Sequence, residues 1–112
     1  MKIPGAERAI VGDAKVRDYL LSAEHRVGSA KAKFFVQLGF EPENWPILRD
    51  ALGRFATGDA QLGAATSFGQ KYTVSGTIQG PLGRSAQVVV VWIVLHGEDY
   101  PRFVTAFPGP RA

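Results

Sequence analysis

The chain has 112 residues, a formal net charge of +3, 46% hydrophobic and 21% charged side chains, and no cysteine. These proportions belong to a globular domain rather than a disordered chain, and the missing thiols remove disulfides, thiolate catalysis and zinc–thiolate sites. The longest apolar run, residues 88–95, is far short of the ~18 residues a membrane helix needs. The opening MKIPG also lacks the apolar segment of a signal peptide. The expectation is one cytoplasmic domain over residues 1–112, with no membrane contact.

In chain order, residues 6–11 read as a short edge strand or an extended arm. Asp13 is placed to cap a first helix, whose face is Val16, Tyr19, Leu20 and Ala23 and whose end falls near Glu24 or His25. Ser29 opens a second helix with Ala30, Phe34, Phe35 and Leu38 on its buried stripe and Gly39 as its stop. Asn44, Trp45 and Pro46 start a third, with Ile47, Leu48, Ala51, Leu52 and Phe55 as its apolar face. Residues 57–67, rich in Gly, Ala and Thr without a period, read as a loop.

The period then becomes two. Tyr72, Val74 and Ile78 alternate with Lys71, Thr73, Ser75 and Thr77, the pattern of a strand with one wet face. Residues 80–83 are a turn, residues 85–96 a central strand apolar on both faces, residues 97–101 another turn, residues 102–107 the last strand and residues 108–112 a tail. The expected fold is α+β: about three N-terminal helices, within residues 13–56, packed on one face of a three- to four-stranded antiparallel sheet within residues 68–107.

No phosphate-binding Gly-Lys loop and no dinucleotide fingerprint is present. His25 and His96 lie far apart without an acid at ligand spacing, so no metal and no cofactor is expected. Glu41 and Glu43 suit a helix N-terminus, and the Glu98-Asp99 pair suits a solvated turn. Trp92, mid-strand in an apolar run, reads as core.

Residues 25–40 carry His25, Arg26, Lys31 and Lys33 and no acid. Either this is a phosphate-facing patch, in which His25 moves a proton and Lys31 neutralises a phosphorane-like transition state, or it is a solvated helix face with His25 on a helix dipole. Arg102 and Thr105 are three residues apart. Alternation puts them on opposite strand faces unless a bulge intervenes.

The stretches HRVGSAKAKFFVQLGF, FGQKYTVSGTIQGPLGRSAQVVVVWIV and PRFVTAFP, with the opening KIPGAERAIV, together resemble an uncharacterised family of small bacterial domains, a domain of unknown function. Its members occur as small stand-alone proteins and at the ends of large secreted toxin-like proteins. The layout resembles the barnase–EndoU–colicin–RelE group of ribonuclease toxins. The motif positions carried over are His25, Gly28, Lys31, Tyr72, Gly76, Trp92, Arg102 and Thr105. Arg26 stands where proline is expected, Val91 where a small residue is usual, and Phe107 replaces a tyrosine, so a catalytic tyrosine there has no counterpart.

The acid-free basic segment beside a polar sheet face, taken with this resemblance, leads to the expectation of a metal-independent ribonuclease acting on RNA. His25, Lys31 and Arg102 would be catalytic, and Arg26, Lys33, Tyr72, Thr77 and Thr105 would bind substrate. The alternative is a non-catalytic interaction module that binds a small cognate partner or immunity protein through a strand edge or helix face. Convergence of His25, Lys31 and Arg102 in one cleft separates the two.

Overall fold

The computed structural model describes residues 1–20 and 28–109. The expected end of the first helix at Glu24 or His25 lies outside the described residues. Among those described, the strands form one antiparallel sheet, β1 (Ala60–Ala65), β2 (Gly69–Gln79), β3 (Ser85–Leu95) and β4 (Arg102–Pro108), in the spatial order β1-β2-β3-β4. The β2–β3 hairpin pairs without interruption from Gly69 opposite Leu95 to Gln79 opposite Ser85. Its turn passes through Gly83 at φ 82°, a left-handed conformation open to glycine.

The helices are α1 (Gly28–Gln37) and α2 (Trp45–Gly53), and α2 runs on as a 3₁₀ turn over Arg54–Thr57. Pro46 sits in the first turn of α2, where its missing N–H is unneeded. These match the second and third expected helices. The first is different: Lys15–Leu20 is a π-helical segment. Apolar spacings of three and four fit the wider winding as well as the α-helix, so periodicity does not separate them.

A second correction falls on residues 57–67. They hold β1, which pairs with β2 through Ala60 opposite Val74, Gln61 opposite Thr73 and Leu62 opposite Tyr72. Ala, Gly and Gln carry little strand propensity of their own; the pairing with β2 makes this a strand.

One sheet face lies under the helices. Phe35, Leu38, Leu48 and Leu52 pack there against Tyr72, Val74, Ile78, Val88, Val90, Trp92 and Phe103. Trp92 is fully buried, and its ring meets Phe103 edge to face at 5.8 Å between centroids. On the opposite face Ser75 and Thr77 are exposed, while Val89, Val91 and Ile93 of β3 are partly buried.

The two flanks of the sheet are finished by the N-terminal residues. After a 3₁₀ turn at Ala6–Arg8, Ile10 makes a parallel bridge to β4: its N–H donates to the Pro101 carbonyl at 3.0 Å, and the Phe103 N–H donates to its carbonyl at 2.8 Å. Of the two expectations for residues 6–11, an edge strand or an extended arm, the structure fits the arm: a 3₁₀ turn followed by a single point of pairing. On the far flank the Ala60 N–H donates to the Met1 carbonyl at 2.7 Å.

Candidate functional site

β4 contains a bulge. Trp92 faces Phe103 and Val91 faces Thr105, so Val104 is the extra residue. Arg102, opposite Ile93, and Thr105, opposite Val91, therefore face β3 residues of the same parity. The expectation of opposite faces fails because one inserted residue resets the alternation, the exception the spacing rule allows.

The bulge also presents β4 to two lysines. The Lys15 ammonium donates to the Val104 carbonyl at 3.3 Å, and the Lys31 ammonium donates to Thr105 Oγ1 at 2.7 Å. Lys31 comes from the first turn of α1, and Lys15 begins the π-helical segment. Ala14, Lys15, Lys31, Val104 and Thr105 line an open cleft of about 510 Å³. Two ammonium groups and a hydroxyl beside one strand edge suit an anion with several oxygen acceptors, such as a phosphate.

Arg102 is engaged elsewhere. Its Nε and Nη2 donate to the two oxygens of Glu98, each at 2.8 Å, and Nη2 also donates to the Tyr100 hydroxyl at 3.0 Å. The Tyr100 hydroxyl donates in turn to Glu98 at 2.8 Å. The hydrogen bonds from Arg102 first, and from Tyr100 second, hold the Glu98 carboxyl down at about 2. The same pairing raises Arg102, whose guanidinium also lies over the Tyr100 ring at 5.3 Å. Glu98 was expected to solvate a turn; it is the ionic partner of Arg102.

Of the expected site residues, the structure brings together Lys31 and Thr105. Tyr72 is 7% exposed and belongs to the core under the helices. Thr77 is on the opposite face, where its Oγ1 accepts from Gln87 Nε2 at 2.6 Å. Lys33 is exposed on α1. His25 and Arg26 lie outside the described residues. Lys15 escaped the sequence reading because a cation in a helix has no distinguishing pattern. Glu98 had a signal, the four-residue spacing to Arg102 with Tyr100 between them.

Among the described residues, no group of three or more His, Cys, Asp or Glu is placed to hold a metal ion, and no helix is long and apolar enough to cross a membrane. No curated protein matches the chain. Its fold is similar to that of a chain in a contact-dependent growth inhibition toxin–immunity protein complex from Klebsiella pneumoniae 342, with a TM-score of 0.70 over 95% of this chain and 97% of that one at 12% identity. The profile of one family spans residues 2–110, so the chain belongs to the family described as Domain of unknown function (DUF6883).

Proposed function

We propose that this domain is the toxin member of a toxin–immunity pair and cleaves RNA without a metal, using the cleft between α1 and β4. The observation that carries the reading is the 2.7 Å contact between Lys31 and Thr105 in a cleft that also holds Lys15. In this reading the 2′-oxygen of the RNA attacks phosphorus, and the bond from phosphorus to the 5′-oxygen breaks. Lys31 and Lys15 neutralise the charge that builds on the non-bridging oxygens. Thr105 positions the ribose hydroxyl, and His25 takes its proton while water protonates the leaving 5′-oxygen. Arg102, already paired with Glu98, acts as a positioning residue for the β3–β4 turn rather than as a phosphate ligand. The shared fold with a chain of a toxin–immunity complex supports a small cognate partner for this one.

The test is inducible expression in a bacterium with total RNA resolved on a gel. Wild type should arrest growth and fragment RNA, and Lys31→Ala and His25→Ala should each lower cleavage by about 100-fold or more. Harmless accumulation of folded protein with intact RNA overturns the proposal and leaves the interaction module in its place.

A further inference from the structure

The β2 strand is longer than the strand beside it. Pairing with β1 stops at Val74, opposite Ala60, whereas pairing with β3 continues to Gln79. Residues 75–79 therefore have a neighbour on one side only. Which groups face outward follows from the hydrogen bonds at the two ends of the hairpin. The Gly80 N–H donates to the Arg84 carbonyl at 2.8 Å, and the His96 N–H donates to the Phe68 carbonyl at 2.9 Å. Even-numbered residues of β2 thus turn their main-chain groups toward β3, and odd-numbered ones turn away. The N–H and C=O of Thr77 and Gln79 point outward with no strand against them among the described residues.

This edge borders a groove of about 560 Å³ whose far wall is Arg54, Phe55 and Asp59. Phe55 lies over Gly76, its ring 3.1 Å from where a Cβ would stand, so a larger residue at that position would push the wall into the groove. Asp59 is paired with Lys2 at 3.4 Å. Arg54 is exposed and makes no side-chain hydrogen bond or ion pair among the described residues. Unpaired main-chain groups in a row are a template for an added strand, and β-strand addition uses such an edge for affinity and adjacent side chains for selection. The unpaired cation in the wall and the net charge of +3 select an acidic segment.

We propose that residues 75–79 of β2 receive an extended strand of a partner protein that carries an acidic side chain for Arg54. The strand would lie beyond the start of β1 and complete the outer row of the sheet. The site is separate from the lysine cleft and does not depend on RNA cleavage.

Nuclear magnetic resonance tests both halves of the proposal on the whole chain. In the free protein, the Thr77 and Gln79 amides should exchange at least ~100-fold faster than those of Gly76 and Ile78. Protection of Thr77 equal to that of Ile78 overturns the free edge. The docking probe is an acetylated peptide of alternating valine and threonine with a central glutamate, against the same peptide with a central lysine. The glutamate peptide should shift and protect amides within residues 75–79 and bind about tenfold more tightly than the lysine peptide. Arg54→Ala should equalise the two, and Lys31→Ala should change neither.

Methylating the peptide nitrogens that face β2 should abolish binding while leaving the protein untouched. Thr77→Pro should do the same, with thermal unfolding monitored to show that the variant folds. No shifts at ~1 mM peptide, which puts any Kd in the millimolar range or weaker, or shifts located elsewhere, overturn the proposal. Sedimentation supplies the remaining outcome: a dimer of the free chain that Thr77→Pro dissolves assigns this edge to a second copy and overturns the partner strand.

Discussion

Along β4, Ile10 exchanges main-chain hydrogen bonds with Pro101 and Phe103, Lys15 covers the Val104 carbonyl and Lys31 takes the Thr105 hydroxyl. Along β2 beyond Val74, no described strand does any of this, and on β1 Met1 meets Ala60 alone. Both flanks belong to the same sheet and have the same need to satisfy main-chain groups. The difference lies in what reaches them. The β4 flank is closed by segments near the start of the chain, and its cations gather there as a consequence of closure. The β2 flank leaves the outward main-chain groups of Thr77 and Gln79 with no strand opposite them among the described residues.

The largest expected effect contrasts a buried side chain on the closed flank with an exposed one on the open flank. Phe103 is 4% exposed against Trp92, and Leu62 is 62% exposed on β1. Phe103→Ala should cost about 3–5 kcal/mol by urea unfolding, whereas Leu62→Ala should stay within about 0.5 kcal/mol. Similar costs at both positions break the comparison.

Proline substitution sharpens it further. Ile10→Pro removes a donor that bonds Pro101 and should cost about 2 kcal/mol. Thr77→Pro removes a donor with no strand opposite it and should cost less than about 1 kcal/mol.

Acid titration probes the turn that leads into β4. The Glu98 carboxyl is held at about 2, below its ordinary 4.5, by its hydrogen bonds from Arg102 and then Tyr100. A depressed carboxyl contributes stability that is fully present above the unfolded value and is lost as pH falls through the folded one. Melting temperature should therefore fall between about pH 4.5 and pH 2, and Glu98→Gln should flatten that part of the curve. A decline of unchanged steepness in the variant assigns acid sensitivity to other carboxylates.

The smallest effect is electrostatic. If Lys15 and Lys31 each contact a phosphate of single-stranded RNA, log K against log salt should slope about −1.4, and Lys31→Ala should halve it, since each contact contributes about −0.7. Fluorescence anisotropy at two salt concentrations reads the difference. A flat response at low salt removes RNA from the closed flank.

Helices and strands with strong periodicity were legible in the sequence. Of the expected α2 face, Leu48, Ala51 and Leu52 are buried and Phe55 is partly so, whereas Ile47, one position before Leu48 and turned off the stripe, is 47% exposed. The β2 alternation separates buried Tyr72 and Val74 from exposed Ser75 and Thr77. β1 was not legible, because Ala, Gln and Gly record neither a period nor a propensity, and its existence depends on β2. β3 reads as apolar on both faces, yet only one is under the helices; Val89 and Val91 stay partly open.

At the site, Lys31 and Thr105 were each singled out from residue type, but their meeting was not. They are 74 positions apart, and the bulge that aims Thr105 leaves no residue signature. Arg102 was expected beside the phosphate with Lys31; the structure pairs it with Glu98, whose four-residue spacing to it was present in the sequence but was read as turn solvation.

The bonds that close β4 are also a statement about time. Arg8 reaches Asp99 across 91 positions, and Lys15 reaches Val104 across 89. Contacts of such separation add to the contact order that slows folding, and their loop entropy is met before they return any stability. During synthesis the arm emerges before its acceptor, by an interval of roughly 5 to 20 seconds at ordinary elongation rates. Throughout it Ile3 and Ile10, which end up in the core and on the β4 edge, have nowhere to dock. Every newly made molecule therefore passes through a state with its N-terminal apolar residues exposed, the interval in which a chaperone has most to hold.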